Sequence, residues 1–181
     1  ATGNITVDGV VEASAVEAGG DLVVAKGVLG NNQAVITAHR TVYAKYLENC
    51  RVHARENLQT DCIVNCDVYS DGAVQVRSGR GTIIGGCVRA ANEINASVVG
   101  SRSERPTTIV LGGMPCEDFE KELLQQEIRE MTEEFEKVQR QPDSPAKLSR
   151  LSTLRMKIAV DKKKLEEFDK EDAELLVMPP E

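Results

Sequence analysis

The stretch ITAHRTVYAKYLENCRVHARENLQTDCIVNCDVYSDGAVQV, residues 36–76, decides the fold. Its pieces return every sixteen residues. Ile36-Thr37-Ala38, Val52-His53-Ala54 and Val68-Tyr69-Ser70 are one element in three copies. Val42-Tyr43-Ala44, Leu58-Gln59-Thr60 and Val74-Gln75-Val76 are a second, and Leu47 with Ile63 marks a third. An alternating apolar-x-small piece is a short strand with one buried face. Three such strands in each sixteen residues, separated by polar corners, describe a chain coiled so that every turn lies on the last. One turn cannot bury its apolar face alone, whereas a stack of turns makes a continuous core. The expectation is a mainly β protein, a parallel β-solenoid of about 16 residues per turn.

The polar columns test this register independently. Stacked turns set equivalent residues about 4.8 Å apart, where like charges repel. At spacing sixteen the columns read Lys45/Asp61/Arg77, Arg51/Asp67 and Arg40/Glu56, so the signs alternate. Asn49 coincides with Asn65 and Cys50 with Cys66. The paired asparagines suggest an amide ladder along the stack.

Upstream, Ile5-Thr6-Val7, Val16-Glu17-Ala18 and Leu22-Val23-Val24 continue the pattern, with Asp8-Gly9 and Gly19-Gly20-Asp21 as corners. From Val16 to Ile36 the step is twenty, and the excess falls on residues 27–32, read as a loop bulging from one corner. A second four-residue excess falls on Ser78-Gly79-Arg80-Gly81. The pattern resumes through Ile83, Val88-Arg89-Ala90, Ile94-Asn95-Ala96, Val98-Val99 and a last strand at Ile109-Val110-Leu111. About six turns are expected, a prism roughly 29 Å long.

At Pro115 the period changes from two to 3.6. Leu124, Ile128, Met131, Phe135 and Val138 form a coiled-coil seam on a first helix over Cys116–Gln141. Residues 141–145 break it, and Ser144 followed by Pro145 is an N-cap with proline at the first helical position. A second seam reads Leu151, Leu154, Ile158, Asp161, Leu165, Phe168 and Leu175, with Asp161 interrupting it. Two helices of similar length joined by a tight break make an antiparallel hairpin. The expected domains are therefore a solenoid over 1–113 and a helical hairpin over 114–181. The segment Leu175–Met178 could extend the helix or return to the solenoid as a strand.

Composition narrows the function. The chain has no Trp, three Phe and three Tyr, as a narrow core of aliphatic layers requires. Its net charge of −7 argues against nucleic acid or an anionic membrane as the main partner. No run of eighteen apolar residues is present to span a membrane. Five cysteines in no disulfide-framework pattern read as small, semi-apolar residues of a reduced cytoplasmic protein, and Cys62-x-x-x-Cys66 lacks the spacing of a zinc knuckle.

Enzymes built on stacked β-repeats use histidine bases, three-histidine zinc sites or acidic calcium clusters. Only His39 and His53 exist, fourteen residues apart and so in different columns. His39 aligns with Arg55 and Asp71, and His53 with Thr37 and Tyr69; both are expected to face solvent. No phosphate loop, nucleophile elbow or paired-carboxylate motif appears. The reading is no catalytic residue, no cofactor and no metal.

Several phrases in order resemble the flagellar assembly protein A family. They are Gly20-Asp21-Leu22-Val23-Val24 with Gly27-Val28-Leu29-Gly30, then Ile84-Gly85-Gly86-Cys87-Val88-Arg89-Ala90. Ile94-Asn95-Ala96-Ser97-Val98-Val99-Gly100-Ser101 and the Pro106-Thr107-Thr108-Ile109 exit into a coiled coil follow. The resemblance implies a right-handed, single-stranded β-helix and a non-enzymatic cytoplasmic factor in flagellar assembly or polar placement of its machinery. It also implies a preceding N-terminal domain and a later return to the solenoid, so the chain looks like an excised or shortened version. The first phrases are similar, too, to the C-terminal solenoid of the septum-site inhibitor of cell division, implying a regulator of a polymerising division protein. The long hairpin disfavours that alternative. A self-polymerising cytoskeletal solenoid is a third class.

Apolar residues off the two seams mark candidate partner contacts. Phe119 and Leu123 are expected to cover the last solenoid turn near Ile109 and Leu111. Met156 and Val160, farther along, are expected to meet a protein partner: a second copy, as in a homodimer, or a flagellar or polar-localisation protein.

Overall fold

The computed structural model describes residues 2–77, 79–102, 105–140, 142 and 144–175, with side chains through residue 168. Its β part is a parallel solenoid of about five turns. The first layer comprises three short strands, β1 (Ile5–Val7), β2 (Val10–Glu12) and β3 (Ala15–Ala18). Above it lie three long strands that bend round the corners: β4 (Leu22–Ala38), β5 (Val42–Ala54) and β6 (Leu58–Ser70). Then come β7 (Ala73–Val76) with β8 (Thr82–Ala90), and finally β9 (Glu93–Ala96), β10 (Val98–Val99) and β11 (Thr107–Leu111). The expected sixth turn is only partly built, because both end layers are broken into short strands.

Every described pairing is parallel. Val42 pairs with Leu58, Val52 with Val68, and Leu58 with Val74, so the sixteen-residue step is the register itself. Where the sequence carries excess residues the step widens: Leu22 pairs with Val42, and Cys62 with Thr82. The first excess is not a loop outside the stack. β4 runs through it, with irregularities between Val24 and Gly27 and between Leu29 and Ala34. The backbone absorbs the extra residues in left-handed turns at Asn31 (φ 47°) and Asn32 (φ 61°).

The core is a set of aliphatic columns. Leu22, Val42, Leu58 and Val74 form one, Ile36, Val52, Val68 and Val88 another, and Val28, Leu47, Ile63 and Ile83 a third; all are fully buried. Each side chain is covered above and below by its equivalents. A layer in which three aliphatic side chains meet has little room for rings, which accounts for the shortage of aromatics.

Corners are fastened between turns by side chains. At three corners the residue preceding a strand of the first column accepts a backbone N–H from the turn above: Asp21 N–H donates to Asn4 Oδ1 at 2.8 Å, Thr41 N–H to Asp21 Oδ1 at 3.2 Å, and Ala73 N–H to Asn57 Oδ1 at 2.9 Å. These bonds satisfy amides that the bend removes from the strand ladder. The asparagines at 49 and 65 do something else. The register brackets them one above the other, yet the Asn49 amide donates to Glu48 Oε1 at 3.4 Å rather than to Asn65. Both residues are left-handed, at φ 49° and 51°, and the next turn puts Gly85 there at φ 67°. Asparagine stands at this corner because, after glycine, it tolerates that conformation best.

The chain divides into two compact units, 1–118 and 119–181. The first therefore holds the opening of helix α1 (Pro115–Gln139). Cys116 N–H donates to Asp71 Oδ1 at 2.8 Å, its Sγ lies 3.4 Å from the carbonyls of Ala54 and Tyr69, and Glu117 Oε1 is 3.9 Å from Arg55 Nη1. In the second unit α1 runs antiparallel to α2 (Pro145–Leu175). Lys121 Nζ sits over the Phe168 ring at 5.9 Å, while Arg150 Nε reaches Glu134 Oε1 at 2.9 Å at the opposite end. Ser144 Oγ caps α2 by accepting from Lys147 N–H at 3.2 Å. Residues 141 and 143 of the break lie outside the described residues, as do 176–178, where the helix-or-strand question fell.

Candidate functional site: the outer face of the hairpin and the stacked columns

The hairpin seam is where the spacing puts it. Ile128 and Leu154 are buried, and Leu124, Met131, Phe135, Val138, Leu151, Ile158, Leu165 and Phe168 are half-buried. Asp161 lies in the seam, its side chain only 17% exposed, with Lys164 Nζ at 3.9 Å. It borders a hollow lined also by Glu127, Glu130, Glu134 and Lys157, so the interruption creates a charged pocket between the helices.

Outside the seam, Met156 is 63% exposed and Val160 54%. Spaced i, i+4, they share one face of α2; Leu148, eight residues before Met156, is also exposed. Beside Met156 a shallow apolar groove of about 510 Å³ is lined by Phe135, Leu151, Arg155 and Ala159. The other two candidates do not join this patch. Leu123 is exposed and Phe119 half-buried, and both lie near Lys121, at the Phe168 end of the hairpin. The candidates thus make two separate places.

On the solenoid, the register sets charges in the expected order. Arg40 Nε is 3.4 Å from Glu56 Oε1, and its Nη1 is 3.7 Å from Asp21 Oδ2, so one guanidinium ties two turns. Arg55 and Asp71 are 3.7 Å apart, as are Arg77 and Glu93. His39 is solvent-facing, with Nε2 3.7 Å from Glu17. His53 is not. It points outward from its strand yet is only 8% exposed, because Tyr69 in the next turn stacks on its ring at 4.8 Å and 13°. The Arg89 guanidinium lies 4.7 Å above the same tyrosine ring. Burial first, then the charges of Arg51 and Arg55, lower the His53 pKa to about 4. The step from His53 to Tyr69 was visible as a spacing, but Arg89 as its next member and the burial of the column were not.

All five cysteines are free thiols. Burial, with the Asp71 carboxylate nearby, pushes Cys116 up to about 12. Cys50 and Cys66 touch across adjacent turns, Sγ to Sγ 3.4 Å. Hydrogen bonding between them lowers Cys66 and raises Cys50, with burial opposing ionisation of both. Among the described residues, no group of three or more His, Cys, Asp or Glu is placed to hold a metal ion. No helix there is long and apolar enough to cross a membrane.

The fold defines a class: parallel β-solenoid proteins that carry a helical hairpin. Within that class the chain belongs to the flagellar assembly protein A β-solenoid domain family, whose family model matches residues 1–178. No curated protein and no solved structure matches the chain. The family's description ties it to flagellar assembly.

Proposed function

We propose that this chain is a non-enzymatic cytoplasmic scaffold in flagellar assembly, or in polar placement of the flagellar machinery, acting by protein–protein contact. The observation that supports this reading is the exposed apolar pair Met156 and Val160 on one face of α2, beside the groove at Phe135 and Leu151. Exposed apolar surface gathered on one helix face marks a contact site, because leaving it in water forfeits about 25 cal/mol for each Å² that a partner would cover. Nothing in the reading needs a cofactor or a catalytic side chain.

The experiment is complementation in a flagellated host lacking the gene, scored by flagellar number and position. The wild-type gene should restore both, and His39→Ala with His53→Ala should restore them as fully. Met156→Glu with Val160→Glu should leave the protein folded, by circular dichroism, but fail to restore. Full rescue by the glutamate variant would remove the hairpin face from the function. Loss of rescue by the folded histidine variant would overturn the non-enzymatic reading.

A further inference from the structure

One sequence column is absorbed neither by the fold nor by the proposed contact face. Near the left-handed corner the register presents Ala34, Cys50, Cys66 and Gly86 in succession, with Gly30 close by. The two thiols lie 3.4 Å apart and belong to turns in strict sixteen-residue register. Adjacent strands stand about 4.8 Å apart, inside the Cα separation of roughly 4.4–6.8 Å that a disulfide bridges. Closing the sulfurs to bonding distance takes roughly 1.4 Å, a side-chain rotation rather than a backbone shift.

Two glycines close to the pair are glycine for a steric reason. A Cβ on Gly30 would lie 2.6 Å from Cys50 Cβ, and one on Gly86 would lie 2.2 Å from the Cys66 carbonyl oxygen. The thiol pair thus faces bare backbone at Gly86 on one side and only the small side chain of Ala34 on the other. It is also reachable. Cys50 forms part of the wall of a cleft of about 280 Å³, whose rim carries Asn32, Gln33, Asn49, Arg51 and Asp67. Cys66 lies behind it, fully buried.

We propose that Cys50 and Cys66 are a thiol modification site at which a small hydroperoxide writes a reversible disulfide between adjacent turns. Cys50 sulfur attacks the nearer peroxide oxygen, giving up its proton to water as the S–O bond forms. The O–O bond breaks and its electron pair leaves as alkoxide or hydroxide, which takes up a proton; Cys50 becomes the sulfenic acid. Cys66 sulfur then attacks Cys50 sulfur, the S–O bond breaks, and the Cys66 proton leaves with the hydroxyl as water. Two thiols are oxidised by two electrons, and one hydroperoxide is reduced to alcohol (or water) and water. A cellular thiol reverses the bond by exchange. The staple closes a loop within the stack and stiffens the corner against local opening.

The test uses hydrogen peroxide on the full chain, followed by denaturation, maleimide alkylation and peptide mapping. Alkylated cysteines should fall by two, with one linked peptide pair joining Cys50 to Cys66, and dithiothreitol should restore the full number. The oxidised protein should melt at a higher temperature than the reduced one. In Cys66→Ser, dimedone should trap sulfenic acid at Cys50; in Cys50→Ser, Cys66 should stay reduced over the same exposure. A full set of alkylatable cysteines in the treated wild type, or a bond that joins any other pair, would overturn the proposal. Equal oxidation of Cys66 in Cys50→Ser would overturn the order of attack. The wild-type mapping needs no variant, so a misfolded substitution cannot rescue the idea.

Discussion

The two units are written in the same aliphatic alphabet, but they bury it very differently. In the solenoid Leu22, Ile36, Leu47, Leu58, Ile63 and Ile83 are fully buried. Among the described residues of 119–168, only Ile128 and Leu154 count as buried. The difference is geometric. A solenoid residue is covered by its own equivalents above and below and by two other strands of its layer, whereas a seam residue on a helix pair has a single opposing helix. The stack therefore holds most of the stability, and the hairpin trades stability for accessible surface.

The largest effect should come from breaking this contrast at its two best-buried points. Ile63→Ala empties a site closed on all sides, and should cost about 3–4 kcal/mol of unfolding free energy, toward the upper part of the range for such truncations. Leu154→Ala should cost about half as much, since the seam can collapse onto the smaller side chain. Urea titrations followed by far-UV circular dichroism, with sheet and helix signals fitted separately, give both numbers. Equal costs would mean that the hairpin core is as closed as the stack.

The contrast also explains what could be read from sequence. Columns depend only on spacing, so Val42 over Leu58, Arg51 over Asp67 and Cys50 over Cys66 followed once sixteen was found. The helical seams and the Ser144 cap were legible for the same reason, each being a local period or a local motif. Residues 27–32 were misread as a loop, because excess residues signal a departure from register without saying whether the strand stops. β4 swallows them through left-handed asparagines. The burial of His53 was illegible, since alternation says only that residue 53 points away from the core and nothing about what stacks on it. Exposure at Met156 and Val160 followed from their being off the seam.

His53 offers the next effect in size, and it sharpens the contrast by showing that the solenoid's outer face also contains a closed site. Its folded pKa of about 4 lies below the unfolded value near 6.5, so protons bind the unfolded chain more strongly. Unfolding free energy should then be full above about pH 6.5 and fall as pH drops toward 4, by about 3 kcal/mol. His53→Phe keeps a ring for Tyr69 to stack on and removes the titration. Stability measured between pH 7 and 4 should lose this part of its slope in the variant. An unchanged slope would mean that His53 is open to protons while folded.

The smallest effect decides why asparagine occupies the corner at all. If the column Asn49–Asn65 were held by amide bonds between turns, removing the Asn65 side chain would cost the same whether alanine or glycine replaced it. If the corner demands a left-handed backbone, the two replacements part company. Alanine must hold φ near 51° with a Cβ in the way, a cost of about 1 kcal/mol relative to asparagine. Glycine enters that region freely and should be within about 0.5 kcal/mol of wild type, its gain in the fold offset by the looser unfolded chain. The neighbour above adds a second handle. Gly85 sits at φ 67°, and a Cβ there would come 2.3 Å from Asn65 Oδ1, so Gly85→Asn should be poorly tolerated with Asn65 present and better with Asn65→Gly. Thermal melts of Asn65→Ala, Asn65→Gly, Gly85→Asn and the Asn65→Gly/Gly85→Asn pair complete the cycle. Equal losses for alanine and glycine at 65 would restore the amide ladder, and a double variant no better than Gly85→Asn alone would show that backbone, not the facing asparagine, keeps position 85 bare.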